Sequence, residues 1–136
     1  MRFVLLFLIA VIAMACNTNP VVGKWKAVRT YDAVRKQMVP VTYEAHLDVS
    51  CDGTFKVILP DRSQRTGKYK LDEAVTPYRF TATEKDGRTV RGIYRVATET
   101  LGIRIADESP DSEFPTSFDL NDDTNRGLIE LERTKE

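Results

Sequence analysis

The chain has 136 residues, 20 of them basic and 20 acidic, with one histidine, two cysteines and one tryptophan. That length suits a single domain. The two signs of charge are interspersed, which argues against the basic stripe of a nucleic-acid binder and against a polybasic handle for an anionic membrane.

The first fifteen residues differ in character from the rest. Arg2 supplies one positive charge, and Phe3 to Ala15 then carries no charged or strongly polar side chain. This run is too short for the ~20 apolar residues that span a bilayer. It has the form of a secretory signal peptide, with Ala13-Met14-Ala15 as the small-x-small cleavage pattern. Cys16 follows at once, and the arrangement resembles the lipobox of bacterial lipoproteins, in which that cysteine is diacylated and becomes the mature N-terminus. The resemblance implies a membrane partner through a lipid anchor at Cys16, and two acyl chains hold stably where one does not. Asn17, where aspartate would signal retention in enterobacteria, implies the outer rather than the inner membrane of a bacterial cell envelope. The expected organisation is a signal peptide over 1–15, a lipidated tether over 16–20 and a folded domain over 21–136. Cleavage would remove Arg2, leaving 19 basic against 20 acidic residues. With Cys16 lipidated, Cys51 is expected to lack a disulfide partner.

From Val21 onward the hydrophobic period is close to two, and no window makes an amphipathic helix. Strands are expected at 21–31, 41–50, 54–59, 65–71, 77–85, 88–96, 101–107 and 127–134. Cys51-Asp52-Gly53 and Lys85-Asp86-Gly87 both suit a three-residue hairpin loop closed by a glycine of positive φ. With Ser50 opposite Thr54, Val49 meets Phe55, Leu47 meets Val57 and Ala45 meets Leu59. With Glu84 opposite Arg88, Ala82 meets Val90, Phe80 meets Gly92 and Tyr78 meets Tyr94. A loop over 97–100 sets Val96 against Leu101, Tyr94 against Ile103 and Gly92 against Ile105. A slip of one residue in any of these would turn charges inward. The opposite faces, including Arg91, Ile93, Arg95 and Arg104, are expected to form a solvated exterior. Residues 107–119 break the pattern and read as a surface loop whose phenylalanines fold over one end of the sheet.

The fold class expected is all-β: an antiparallel, up-and-down, eight-stranded barrel following an N-terminal signal peptide. Trp25, on the first strand, is the natural plug for one end, with Gly23 leaving room beneath it. Gly23-Lys24-Trp25 resembles the Gly-x-Trp signature of lipocalins, a family in which an arginine of the last strand lies across the tryptophan. Arg133 stands where that arginine would be. A closer resemblance is to small lipocalin-like domains of planctomycetes and other bacteria, largely uncharacterised. It rests on Gly67-Lys68-Tyr69-Lys70-Leu71-Asp72, Gly92-Ile93-Tyr94, Thr100-Leu101 and Pro115-Thr116-Ser117-Phe118. Phe114 departs from that pattern, which has an arginine before the proline. The resemblance implies a lipocalin-like barrel in the cell envelope and no particular activity.

Catalysis finds little footing. His46, the single histidine, is expected on the outer face of a strand. The carboxylates concentrate in turns and outward positions, and no phosphate loop or zinc motif is present. Neither an enzyme nor a cofactor is expected. Interior side chains remain as candidate ligand-lining residues: Tyr43, Leu47, Phe55, Tyr69, Phe80, Tyr94, Ile103 and Phe118. Tyrosine hydroxyls among them would serve a partly apolar ligand. Two functions stay open: a membrane-anchored barrel holding a small hydrophobic or amphipathic molecule, or a filled barrel whose loops, chiefly 107–119, engage or inhibit another envelope protein.

Overall fold

The computed structural model describes residues 19–106, 113–119 and 127–134. The segment expected as a signal peptide, Cys16, most of the expected tether and the stretches 107–112, 120–126 and 135–136 lie outside the described residues. Among the described residues nine strands form: β1 (Gly23–Asp32), β2 (Gln37–Pro40), β3 (His46–Val49), β4 (Thr54–Ile58), β5 (Gln64–Asp72), β6 (Tyr78–Glu84), β7 (Thr89–Val96), β8 (Thr100–Ile105) and β9 (Leu128–Arg133). From β3 to β9 each strand pairs antiparallel with the next, and β1 pairs with both β3 and β9. The sheet therefore closes on itself as the expected up-and-down barrel, consistent with a lipocalin-like one.

Nine strands make eight staves, because only 46–49 of the stretch expected as a strand over 41–50 forms one (β3), and β2, which lies ahead of that stretch where no strand was expected, shares its stave. β2 pairs with the second half of β1, β3 with the first half, both on the edge of β1 away from β9. Between them Val41 N–H donates to Val28 O and Ala27 N–H donates to Ala45 O. The chain thus makes its 41–45 detour opposite a bulge in β1, where the register against β9 shifts between Ala27 and Arg29. A bulge bends and twists its strand, and that curvature helps a sheet this narrow to close.

The registers read from the turns are those observed. Val49 pairs with Phe55 and Leu47 with Val57; Ala82 pairs with Val90, Phe80 with Gly92 and Tyr78 with Tyr94; Val96 pairs with Leu101 and Tyr94 with Ile103. Gly53 and Gly87 have φ of 87° and 92°, as the hairpin loops require. Leu59 to Ser63 makes the same loop: Leu59 N–H donates to Ser63 O, and Arg62 takes the left-handed position at φ 68°. No glycine marks that turn in the sequence, so its geometry was not legible. Asp52 and Asp61 hold their turns through the N–H and hydroxyl of Thr54 and Ser63. These hydrogen bonds favour the charged carboxylates and lower both pKa values.

One end of the barrel is stoppered. Trp25 is fully buried (0% exposed) and packs with Val21, Val49, Tyr94, Leu101 and Leu131. Its Nε1–H donates to Val21 O at 2.9 Å. Arg133, its partner across β1 and β9, lays the guanidinium 4.2 Å from the indole centroid. The same guanidinium donates to Val22 O at 3.0 Å, Pro20 O at 2.7 Å and Thr98 O at 3.0 Å. Gly23, at φ 145°, sits directly under it, and a β-carbon there would run into Arg133 Nη1.

Three outcomes follow from this frame. Arg133→Ala removes a cation–π contact and three charge-assisted hydrogen bonds, so urea unfolding should show a loss of roughly 2–3 kcal/mol. Gly23→Ala should cost about 1–3 kcal/mol through strain and the displaced guanidinium. Arg62→Gly, by contrast, relieves a left-handed non-glycine residue and should stabilise by up to about 1 kcal/mol. An unchanged midpoint in the first two variants would contradict this account of the closed end.

Candidate functional site

The inner wall divides along the barrel axis. Large side chains fill the half around Trp25. Towards the other end, where β3, β5 and β7 begin and β4, β6 and β8 finish, the inward positions are small or branched: Ala27, Ala45, Val57, Ala82, Val90, Ile105 and Ile129. Side chains of this size cannot meet across an eight-stranded barrel. A cavity of about 350 Å³ results, and its lining is overwhelmingly apolar. That is within the ~300–1,000 Å³ typical of small-molecule sites.

Six of the eight candidate lining residues border this cavity: Leu47, Phe55, Tyr69, Phe80, Tyr94 and Ile103. Two do not. Tyr43 falls in the 41–45 detour and is 42% exposed, because the broken strand loses the alternation that would have turned it inward. Phe118 lies outside the barrel, its ring 4.6 Å from the Arg95 guanidinium.

The tyrosine hydroxyls are already engaged. Tyr69 O–H donates to Ser50 O at 2.7 Å, and Tyr94 O–H donates to Glu73 Oε1 at 2.8 Å. Burial and the neighbouring Glu73 carboxylate push the Tyr94 pKa well above the ordinary phenol value. The deep end of the cavity is therefore apolar in effect, with its polar atoms turned to the protein. The charged groups on the lining are Arg65, at the start of β5, and Glu84, at the end of β6; His46 also borders it and is half-buried rather than exposed. Arg65 Nη1 and Glu84 Oε1 are 3.7 Å apart. Both face inward at the open end, the one place where an inward charge can reach water. Sequence reasoning passed over them because a charge near a turn ordinarily reads as solvated; their even spacing from Gly67 and Tyr69, and from Phe80 and Ala82, was the available signal.

The exterior also corrects an expectation. Ile93 and Arg104 are 0% exposed, not solvated. Residues 113–119 run back across the outer wall, where Phe114 packs 4.7 Å from the Arg79 guanidinium and Arg104 Nη1 donates to Ser117 O. The phenylalanines thus cover a side of the barrel and not an end. A second hollow of about 290 Å³ on the outer wall is lined by Arg29, Arg95, Glu130 and Glu132. Its charges answer one another, with Glu130 2.5 Å from Arg29 and 4.0 Å from Arg95. Cys51, expected to lack a partner, is disulfide-bonded.

Comparison of the chain with family models, with curated proteins and with solved structures finds no match. The lipocalin-like resemblance accordingly rests on the chain's own residues and on the barrel they form.

Two measurements check this geometry. Ala82→Leu adds apolar volume where there is space, and should raise stability by about 1 kcal/mol in a denaturant titration; a loss would mean that the wall is already packed. Tyr94 holds its proton more tightly folded than unfolded, so its contribution is complete below the ordinary tyrosine pKa of about 10 and fades as pH rises past it. Ultraviolet titration of wild type against Tyr94→Phe should show one phenol that ionises only as the protein unfolds.

Proposed function

We propose that this protein is an extracytoplasmic, lipocalin-like binding protein that holds a small apolar or amphipathic molecule inside its barrel and is tethered to the envelope membrane by lipid at Cys16. The half-hollow barrel carries the ligand reading. An apolar void open to water is unfavourable unless something apolar fills it, and side chains leave this one empty while packing the other half tightly. The polar groups at the mouth suit a molecule with an apolar body and a polar end.

The leader carries the tether. A signal peptide and a disulfide at Cys51 both belong in an oxidising extracytoplasmic compartment. They differ over Cys16: in a chain with two cysteines, a thioether-linked diacylglyceryl group on Cys16 excludes its use in an intramolecular bridge. Mass spectrometry of the mature protein should find a lipid increment on the peptide that begins at Cys16. A Cys16 peptide joined by disulfide to the Cys51 peptide would overturn the tether and leave the ligand reading in place.

The alternative, a filled barrel acting only through its loops, has less support, since about 350 Å³ of the interior is left open by the side chains. Aminoanthracene, a small fluorophore that brightens in apolar surroundings, tests the ligand reading. Wild type should bind it with a saturable rise in emission, and Ala82→Phe, which puts a ring into the cavity, should lose that binding while remaining folded by circular dichroism. No binding by wild type, or equal binding by folded Ala82→Phe, would refute the proposal.

A further inference from the structure

The inward carboxylate of Glu84 has an unusual position. Its side chain is only 13% exposed, against 49% for Arg65. At 3.7 Å the two attract without a hydrogen bond, and among the described residues the Glu84 carboxylate accepts none. A carboxylate has room for several donors, and a mostly buried one that lacks them is costly to leave so. It faces a cavity whose other polar side chains at depth, Tyr69 and Tyr94, are already bonded to the protein. The lining of the mouth thus holds one carboxylate, Glu84, and one guanidinium, Arg65, with His46 beside them.

We infer that the cavity selects an amphipathic ligand with an uncharged hydrogen-bond-donating head, a long-chain alcohol or the hydroxyl end of a larger lipid, and rejects the corresponding carboxylate. The hydroxyl donates to Glu84, and its oxygen accepts from Arg65, which is exposed enough to reorient towards it. The apolar chain points towards Trp25, where no polar side-chain atom is left to satisfy. An ionised fatty acid brings no donor and sets a second negative charge beside the mostly buried Glu84. Like charges in partly desolvated surroundings repel strongly enough to decide the choice.

This inference rests on the ligand reading, and competition against aminoanthracene separates the two. Decanol, decyl methyl ether and decanoate share a chain and differ in the head; the ether is uncharged but has no donor. At slightly alkaline pH decanol should displace the probe at roughly tenfold lower concentration than the ether, and decanoate should be weaker still. In Glu84→Leu the preference for alcohol over ether should collapse towards parity, while binding of the ether itself persists and so reports an intact cavity. In Glu84→Gln, which removes the charge and adds an N–H donor, the handicap of decanoate should shrink by roughly tenfold. Decanoate binding wild type as well as decanol does, or an alcohol-to-ether ratio unmoved by Glu84→Leu, would overturn the inference. Failure of all three to displace a bound probe would overturn it too, whereas failure of the probe itself to bind would refute the ligand reading beneath it.

Discussion

The barrel depends on the stack of Gly23, Trp25 and Arg133. A sheet of this size closes only if its first and last strands meet, and that contact joins residues more than a hundred positions apart, at a high cost in chain entropy. The guanidinium repays the cost at one point, lying on the indole while its three nitrogens reach the carbonyls of Val22, Pro20 and Thr98. It thereby ties β9 to the segment before β1 and to the β7–β8 loop together. Glycine beneath it is required by space as well as by φ. With that end sealed, the residues of the other end are free of the task of holding the barrel shut.

That division of labour explains the cavity. Trp25, Tyr94 and Leu101 pack the sealed half, and the alanines at 27, 45 and 82 leave the other half wide. Polar groups follow the same axis. The deep tyrosines spend their hydroxyls on Ser50 and Glu73, which ties neighbouring turns to the wall. Arg65 and Glu84 stand at the mouth, where water offsets much of the burial cost of a charge. The outer wall has its own cover in residues 113–119, which place two rings on guanidinium groups and bury Arg104. The segment that looked free to meet a partner is thus partly committed to its own barrel.

Much of this was legible in the sequence because sheets alternate. Two x-Asp-Gly turns fixed the pairing of β3 with β4 and of β6 with β7, and each neighbouring apolar position then had one place to go. The position of Arg133 over Trp25 also followed from the residues, through a resemblance that the geometry agrees with. What escaped was whatever alternation does not encode. It assigns Arg104 to the outer face but says nothing of a later segment returning to cover it. It fails across the 41–45 detour, so Tyr43 was placed inside. It could not place Phe118, which lies in no strand. Alternation also encodes Arg65 and Glu84 as inward, but a charge near a turn ordinarily reads as solvated, so neither stands among the expected lining residues. Whether the inner side chains fill the barrel depends on its diameter, which no local pattern contains.

The central claim is that the end away from Trp25 is hollow and receives a ligand. Methyl-resolved NMR during a decanol titration tests it most directly. The account predicts saturable shifts at Ala82, Val57, Val90, Ile105 and Ile129, which line the mouth half, with little change at Leu128, which is buried outside that lining. Shifts confined to the outer wall around residues 113–119, or none at saturating decanol, would contradict it.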